Sequence, residues 1–140
     1  MPEQTIERIR WSSYEEAATT KLINNVARER GYSLKFVERL RTAGYLGRSP
    51  EGRYNGWTAF PVCNIAGAVV AVHLVNRREK AFAYEPSGVT VHPFVIGELN
   101  AALVINIFES QWDMFAVMDR LDINPTRVPP ATPCSLTMPP

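Results

Sequence analysis

The stretch from Leu103 to Leu121 changes its hydrophobic period part-way along, and this change constrains the fold more than any other feature of the chain. Its first part, residues 103–108, is a run of apolar and β-branched side chains typical of a buried strand. Apolar side chains then recur at helical spacing, so we expect a helix to follow the strand directly. The pattern predicts that the most buried positions include Leu103, Val104, Ile105 and Ile107.

Glu109 lies at the switch from strand to helix, and Asp113 follows four residues later in the expected first helical turn. Open α/β sheets place their ligands at the ends of buried strands, so a carboxylate there is a candidate site residue. The alternative is that Glu109 is a polar residue that caps the following helix. The pattern leaves both interpretations open.

The remaining chain predicts an α+β fold. An N-terminal helical hairpin should be followed by an antiparallel β-hairpin or small sheet, and then by the strand-turn-helix described above. The expected helices cover 14–30 and 33–43, with Gly31 between them, and the expected strands cover 57–62, 68–75, 81–84 and 89–91. Residues 47–56 should form a loop, and 93–100 should lead into the strand at 103, with a short helical turn near 97–99.

We expect one domain over residues 1–123, with a helical part at 14–45 and the sheet at 57–121. Residues 124–140 are dense in proline and offer no periodic face, so they predict an extended or disordered tail. The 140 residues suffice for one sizeable core, and no apolar run approaches the ~20 residues that cross a bilayer. We therefore expect no membrane association.

Charge and cysteine content narrow the function classes. The net charge is +1, so any polyanion site must be a local patch. Cys63 and Cys134 form no CxxC pair, which argues against a metal knuckle or a disulfide framework, and the N-terminus lacks a secretory apolar core. The cytoplasm is therefore the expected compartment.

Basic side chains are concentrated in two segments that could contact phosphates. One segment is the loop that carries Arg53, and the other is the end of the second hairpin strand, with Arg77, Arg78 and Lys80. We predict that these four side chains form a nucleic-acid-binding groove on the same side as Glu109.

Two alternatives remain open. The two helices could form a helix-turn-helix regulator of DNA, with Lys35 and Arg39 on its second helix. The chain could instead be a small interaction domain that needs a partner chain, with the strand at 103–108 as an unpaired edge.

Three motifs in order resemble the core of TOPRIM-type DNA primases, which bacteria, phages and plasmids encode. The helical stretch ends in RERGYS, the hairpin reads WTAFPVCNIAGAVVAVHLVNR, and the strand-turn-helix carries FESQWD. The resemblance covers roughly residues 20–121. The matching residues are Phe60, Pro61, Gly67, Val69, Val70, Arg77, Glu109 and Asp113.

The resemblance implies a role in DNA replication by a nucleotidyltransferase, a DNA-directed RNA polymerase. It implies that Glu109 acts in metal-assisted phosphoryl transfer and that Glu109 and Asp113 lie at a Mg²⁺ site. It also implies that Arg77 belongs to the basic region that contacts nucleic acid or nucleotide. Single-stranded DNA or a nucleotide is the expected ligand, and a helicase or a second copy of the chain is a further candidate partner.

The chain also departs from the family pattern. Ser110 stands where the family has glycine, and no Asp-x-Asp pair follows Glu109. Asp119 and Asp122 are three residues apart on one expected helix, a spacing that suits a solvated face. We therefore expect the N-terminal part of a primase-like protein, or a truncated relative that needs a missing C-terminal half. Alone, it should not be catalytic or hold a metal tightly.

Overall fold

Four helices and two sheets form the part of the chain that the computed structural model describes, residues 10–64, 68–76, 78–86, 93–97, 104–125 and 134–137. The predicted α+β class is confirmed. The helices are α1 (Trp11–Glu16), α2 (Thr20–Arg30), α3 (Leu34–Thr42) and α4 (Gln111–Arg120). The strands are β1 (Gly47–Arg48), β2 (Thr58–Cys63), β3 (Val69–Asn76), β4 (Ala81–Glu85), β5 (Phe94–Ile96), β6 (Ile105–Phe108) and β7 (Cys134–Thr137). None of the described helices is long and apolar enough to cross a membrane.

The predicted helix over 14–30 is confirmed for residues 14–16 and 20–30 but is interrupted at residues 17–19, so the chain forms two helices there. Thr19 takes an extended conformation, and its side chain accepts a hydrogen bond from the backbone N–H of Leu22, so α2 begins at Thr20. This is an N-terminal cap, which needs non-helical backbone at the capping residue. Helix α1 therefore ends before Thr19.

The hairpin of α2 and α3 is confirmed. Gly31 ends α2 with a φ of 73°, a left-handed conformation that glycine adopts without steric cost. Ser33 then caps α3 by accepting a hydrogen bond from the backbone N–H of Phe36. Only Tyr32 separates the two capping positions, so the turn is tight.

The first sheet has the order β1-β2-β3-β4, and all of its pairs are antiparallel. The predicted hairpin of β2 and β3 is confirmed, with Thr58 opposite Val75. The predicted loop over 47–56 is wrong in part, because β1 pairs with the start of β2 and a 3₁₀ helix covers Gly52–Tyr54. Strand β4 matches the predicted third strand, whereas the predicted strand at 89–91 lies outside the described residues.

The second sheet has the order β5-β7-β6, with β7 antiparallel to β5 and parallel to β6. Strand β7 lies within the segment predicted to be an extended or disordered tail, so that prediction is wrong for residues 134–137. Backbone hydrogen bonds to β5 on one side and β6 on the other stabilise β7. With four residues, β7 is too short to show a hydrophobic pattern in the sequence. Strand β5 likewise replaces part of the predicted lead-in at 93–100, of which residues 98–100 lie outside the described part.

The main core lies between one face of the first sheet and helices α2, α3 and α4. Phe60 of β2 and Phe115 of α4 are both fully buried, with ring centroids 5.9 Å apart. Trp11 of α1 covers the opposite face of the sheet, where it packs with Ala59, Val72 and Leu74. Strand β2 is therefore covered on both faces, whereas β4 remains partly exposed.

The predicted burial of the strand before Glu109 is wrong. Strand β6 forms and α4 follows it, but Val104, Ile105 and Ile107 are 52%, 48% and 65% exposed, and Leu103 lies outside the described residues. Strand β6 stands at the end of its sheet order, with β7 as its one neighbour in the described part. Ile105 and Ile107 share one face by strand alternation. No layer formed by the described residues covers that face, whereas Phe108 packs against the main core.

Candidate functional site

A cleft of about 560 Å³ lies where the N-terminal end of α4 faces the β3–β4 hairpin and the end of α2. Residues 109–112 form one wall of the cleft, and His73, Lys80 and Phe82 of the hairpin form another. Glu29 and Arg30 complete the lining from α2. This volume is within the range of small-ligand sites.

Glu109 lines this cleft and is exposed, at the junction where β6 ends. The helix cap is the next residue, since the Ser110 side chain accepts a hydrogen bond from the backbone N–H of Asp113 at 3.3 Å. Ser110 has φ −140° and ψ 156°, extended backbone that needs no glycine. The capping interpretation of Glu109 is therefore wrong, and this exposed carboxylate residue is one of those that line the cleft.

Two cations line the cleft beside this carboxylate. Lys80 is exposed in the turn between β3 and β4, with a φ of 52° that is uncommon for a residue other than glycine. Arg30 is in the last turn of α2, and its guanidinium carbon lies 3.8 Å from the ring centre of Trp112. Glu29 and Glu109 balance these charges, so the cleft combines both signs.

The structure brings together only part of the predicted basic groove. Arg53 and Arg78 are exposed but do not line the cleft: Arg53 lies 5.5 Å from the ring centre of Tyr54, and Arg78 follows β3. Arg77 lies outside the described residues. Among the predicted cations that the structure describes, Lys80 alone shares the cleft with Glu109.

An aromatic row crosses the first sheet and ends at the cleft. His73 stacks on Tyr84 with ring centroids 4.7 Å apart, and Phe82 meets the imidazole edge-on at 5.9 Å. Burial lowers the pKa of His73 to about 4, so its imidazole is neutral at pH 7. Its Nε2 atom is buried without a hydrogen-bond partner among the described residues, whereas Phe82 is 57% exposed.

Two hydrogen-bonded contacts fix α4 against the α2–α3 hairpin. The Tyr32 hydroxyl donates to the backbone oxygen of Trp112 at 2.6 Å, and burial raises the pKa of Tyr32 to about 12. Ser33 donates two hydrogen bonds to Asp119. Asp119 and Asp122 were predicted to lie on a solvated helix face. This is wrong for Asp119, which binds Ser33, whereas the side chain of Asp122 is 86% exposed. These contacts position Trp112 at the cleft.

The carboxylates that the structure describes do not gather into a set of metal ligands. Within the described ranges, no three His, Cys, Asp or Glu side chains come together as metal ligands. Glu29 and Glu109 line the cleft, but Asp113 is exposed and does not. Magnesium needs near-octahedral oxygen coordination, which two carboxylates supply only with help from phosphate oxygens or water.

Arg30, Phe82 and Trp112 also line the cleft, although none of them was predicted from the sequence as a site residue. In the sequence, Arg30 was interpreted as a cation that stabilises a helix C-terminus. Trp112 was interpreted as one of the apolar residues that recur at helical spacing. Their meeting depends on how α2 and α4 pack. The alternation of Phe82 and Tyr84 along β4 was a usable signal, since it places both rings on one face of the strand.

Comparison with known proteins gives a fold but no family. No protein-family model and no curated protein matches the chain. The RNA polymerase domain of Mycobacterium tuberculosis primase DnaG matches with a TM-score of 0.50 and 14% identity, over 96% of this chain and 56% of that one. A DnaG primase catalytic domain bound to single-stranded DNA matches with a TM-score of 0.49 and 15% identity, over 94% of this chain and 54% of that one.

This chain therefore spans little more than half of the primase domains that it matches. At 14–15% identity, the match indicates a similar fold and does not indicate a shared reaction. The conclusion from the architecture is that the chain has a primase-like fold.

Proposed function

We propose that this chain is a nucleic-acid-binding part of a TOPRIM-type DNA primase-like protein that acts in replication of a chromosome, phage or plasmid. One observation carries the proposal: Glu109, at a strand end in a primase-like fold, shares a cleft with Lys80 and Arg30. Cations at a cleft neutralise phosphates, and exposed aromatic rings stack on bases. Single-stranded DNA or a nucleotide is the ligand that this combination fits.

The proposal assigns binding and no catalytic step to this chain alone. Nucleotidyl transfer by such enzymes uses divalent cations that stabilise developing charge on the phosphates. Glu109 and Asp113 would contribute to holding Mg²⁺ in a complete protein, together with further acidic residues and substrate phosphates. DNA-directed RNA polymerase activity therefore belongs to a complete primase-like protein.

The test is binding of a fluorescently labelled oligothymidylate, measured by anisotropy over a series of salt concentrations. Lys80→Ala should weaken binding and reduce the slope of log affinity against log salt by about 0.7, the value for one lost phosphate contact on a single strand. Arg53→Ala is the matched control, since Arg53 is also an exposed loop cation but lies outside the cleft. Binding that does not depend on salt, or no binding, would contradict the proposal.

One contact favours the proposal over the helix-turn-helix alternative. Recognition helices present their N-terminal residues to the base edges of the major groove. Here the N-terminal end of α3 is docked against α4, because Asp119 binds Ser33. Charge reversal at Lys35, which is exposed, should leave duplex binding unchanged if this interpretation is correct.

One observation favours the interaction-domain alternative as a second function. The exposed face of Ile105 and Ile107 lies on a strand at the end of its described sheet order. Such an edge pairs readily with another strand, so we infer a second copy of the chain as its partner. Ile107→Lys should then abolish any dimer that light scattering detects as protein concentration rises. A monomer at all concentrations would exclude this second function.

A further inference from the structure

Trp112 is held firmly at the wall of the cleft. Its ring lies 5.3 Å from Phe60 and 6.3 Å from Phe115, each at 85°, and Tyr32 binds its backbone oxygen. Trp112 is half-buried and lines the cleft. Its orientation is therefore fixed by the core before any ligand arrives.

The side chain of Arg30 covers the Trp112 ring and, unlike Trp112, is exposed to solvent. Arg30 is exposed at the end of α2, and its guanidinium carbon lies 3.8 Å from the ring centre of Trp112. A long exposed side chain can leave this position without disturbing the core. An exposed cation over an aromatic ring contributes less free energy than a stacked nucleobase does, so a base can replace Arg30 on the indole.

We propose that Trp112 is a stacking platform for one unpaired base, and that Arg30 moves from the ring to a phosphate of the bound strand. This inference rests on the proposed function, because it assigns a base-holding residue to the same cleft. A guanidinium forms two parallel hydrogen bonds with a phosphate, so Arg30 gains a better partner than the indole. The base must be unpaired to expose its face, so the ligand is a single strand.

Neighbouring groups are compatible with this assignment. Phe82, which is 57% exposed, lines the same cleft and offers a second aromatic surface. Lys80 supplies a further cation for the backbone of the strand. The cleft volume of about 560 Å³ is large enough for a nucleotide.

The experiment compares an oligothymidylate with an abasic oligonucleotide of the same length, because only the first can stack. Wild type should bind the oligothymidylate about tenfold more tightly, equivalent to about 1.4 kcal/mol. Trp112→Leu should remove this difference while keeping the affinity for the abasic strand. Trp112→Phe retains an aromatic ring, should preserve folding and most of the preference, and is the variant to use if Trp112→Leu does not fold.

Two further variants complete the design. Trp57→Phe is the matched control, since Trp57 is also half-buried but lies outside the cleft, and it should retain the preference. Arg30→Ala should weaken binding of both oligonucleotides by the same factor, because Arg30 is assigned to a phosphate. Indole fluorescence should change on binding in wild type and in Trp57→Phe, but not in Trp112→Phe.

The outcomes separate the two proposals. Equal affinity of wild type for both oligonucleotides would overturn the stacking role, while salt-dependent binding of both would still support the proposed function. An equal loss of preference in Trp57→Phe and Trp112→Leu would also overturn the stacking role. No binding of either strand would overturn both proposals.

Discussion

Asp119 of α4 accepts two hydrogen bonds from Ser33, one from the backbone nitrogen and one from Oγ, each at 2.8 Å. The same Oγ accepts a hydrogen bond from the backbone N–H of Phe36, so Ser33 caps α3 while it binds α4. A carboxylate at a helix N-terminus also interacts favourably with the helix dipole. This contact spans 86 residues of sequence and joins the start of α3 to α4, the helix whose N-terminal end lines the cleft.

Asp119→Ala should lower the free energy of unfolding by about 1–2 kcal/mol, because it removes two hydrogen bonds to a charged acceptor at a helix start. Urea denaturation followed by circular dichroism measures the loss. Asp122→Asn is the control, since Asp122 is 86% exposed, its ion pair with Arg39 is 3.6 Å long, and asparagine tolerates the left-handed backbone of this position, which has a φ of 55°. It should change stability by less than about 0.5 kcal/mol. Equal losses in the two variants would contradict the role given to Asp119.

Phe115→Ala should destabilise the protein by about 3–5 kcal/mol, because the ring is fully buried and its removal leaves a cavity. Ile107→Ala, on a side chain that is 65% exposed, should change stability by less than about 0.5 kcal/mol. The same denaturation measurement, at low protein concentration, compares them. A large loss for Ile107→Ala in a monomeric sample would show that the β6 face is covered.

Stability should decrease as the pH falls from about 6.5 toward about 4, because burial holds the pKa of His73 at about 4 in the folded protein. Over this range the unfolded imidazole binds a proton and the folded one does not, so acid favours unfolding. The full effect for His73 is about 3 kcal/mol. Urea midpoints measured across this range should fall less steeply for His73→Phe than for wild type. Parallel curves would show that His73 titrates normally in the folded protein.

Glu109→Gln should tighten binding of single-stranded DNA by about two- to fivefold at low salt without divalent cations, since it removes a negative charge from the cleft. Asp113→Asn is the matched control, because Asp113 is an exposed carboxylate one helical turn away that does not line the cleft. Anisotropy with a labelled oligonucleotide measures both. Weaker binding by Glu109→Gln would show that the carboxylate contacts the ligand favourably.

Local signals in the sequence predicted much of the fold because they act within a few residues. Gly31 and Ser33 define the helical hairpin through backbone conformation and capping, and two nearly continuous apolar runs define the β2–β3 pair. The change of period at Glu109 correctly placed a strand-to-helix junction. The break before α2 was also readable, because Thr19 is a typical capping residue.

The remaining features depend on long-range partners that a local pattern does not show. The apolar residues of β6 predicted burial, but burial requires a second layer over Ile105 and Ile107 as well as a strand. Strand β7 is a strand because β5 and β6 flank it, although its segment is rich in proline. The cleft, likewise, depends on the packing of α2 against α4, which brings Arg30 over Trp112.

The order of the second sheet has a consequence for synthesis of the protein on the ribosome. Its central strand, β7, is the last of the described elements to be translated, and β5 and β6 pair with it rather than with each other. Until residues 134–137 have been translated, β5 and β6 lack the strand with which both of them pair. The second sheet can therefore form only after translation has reached β7, whereas the helical hairpin and the first sheet can form beforehand.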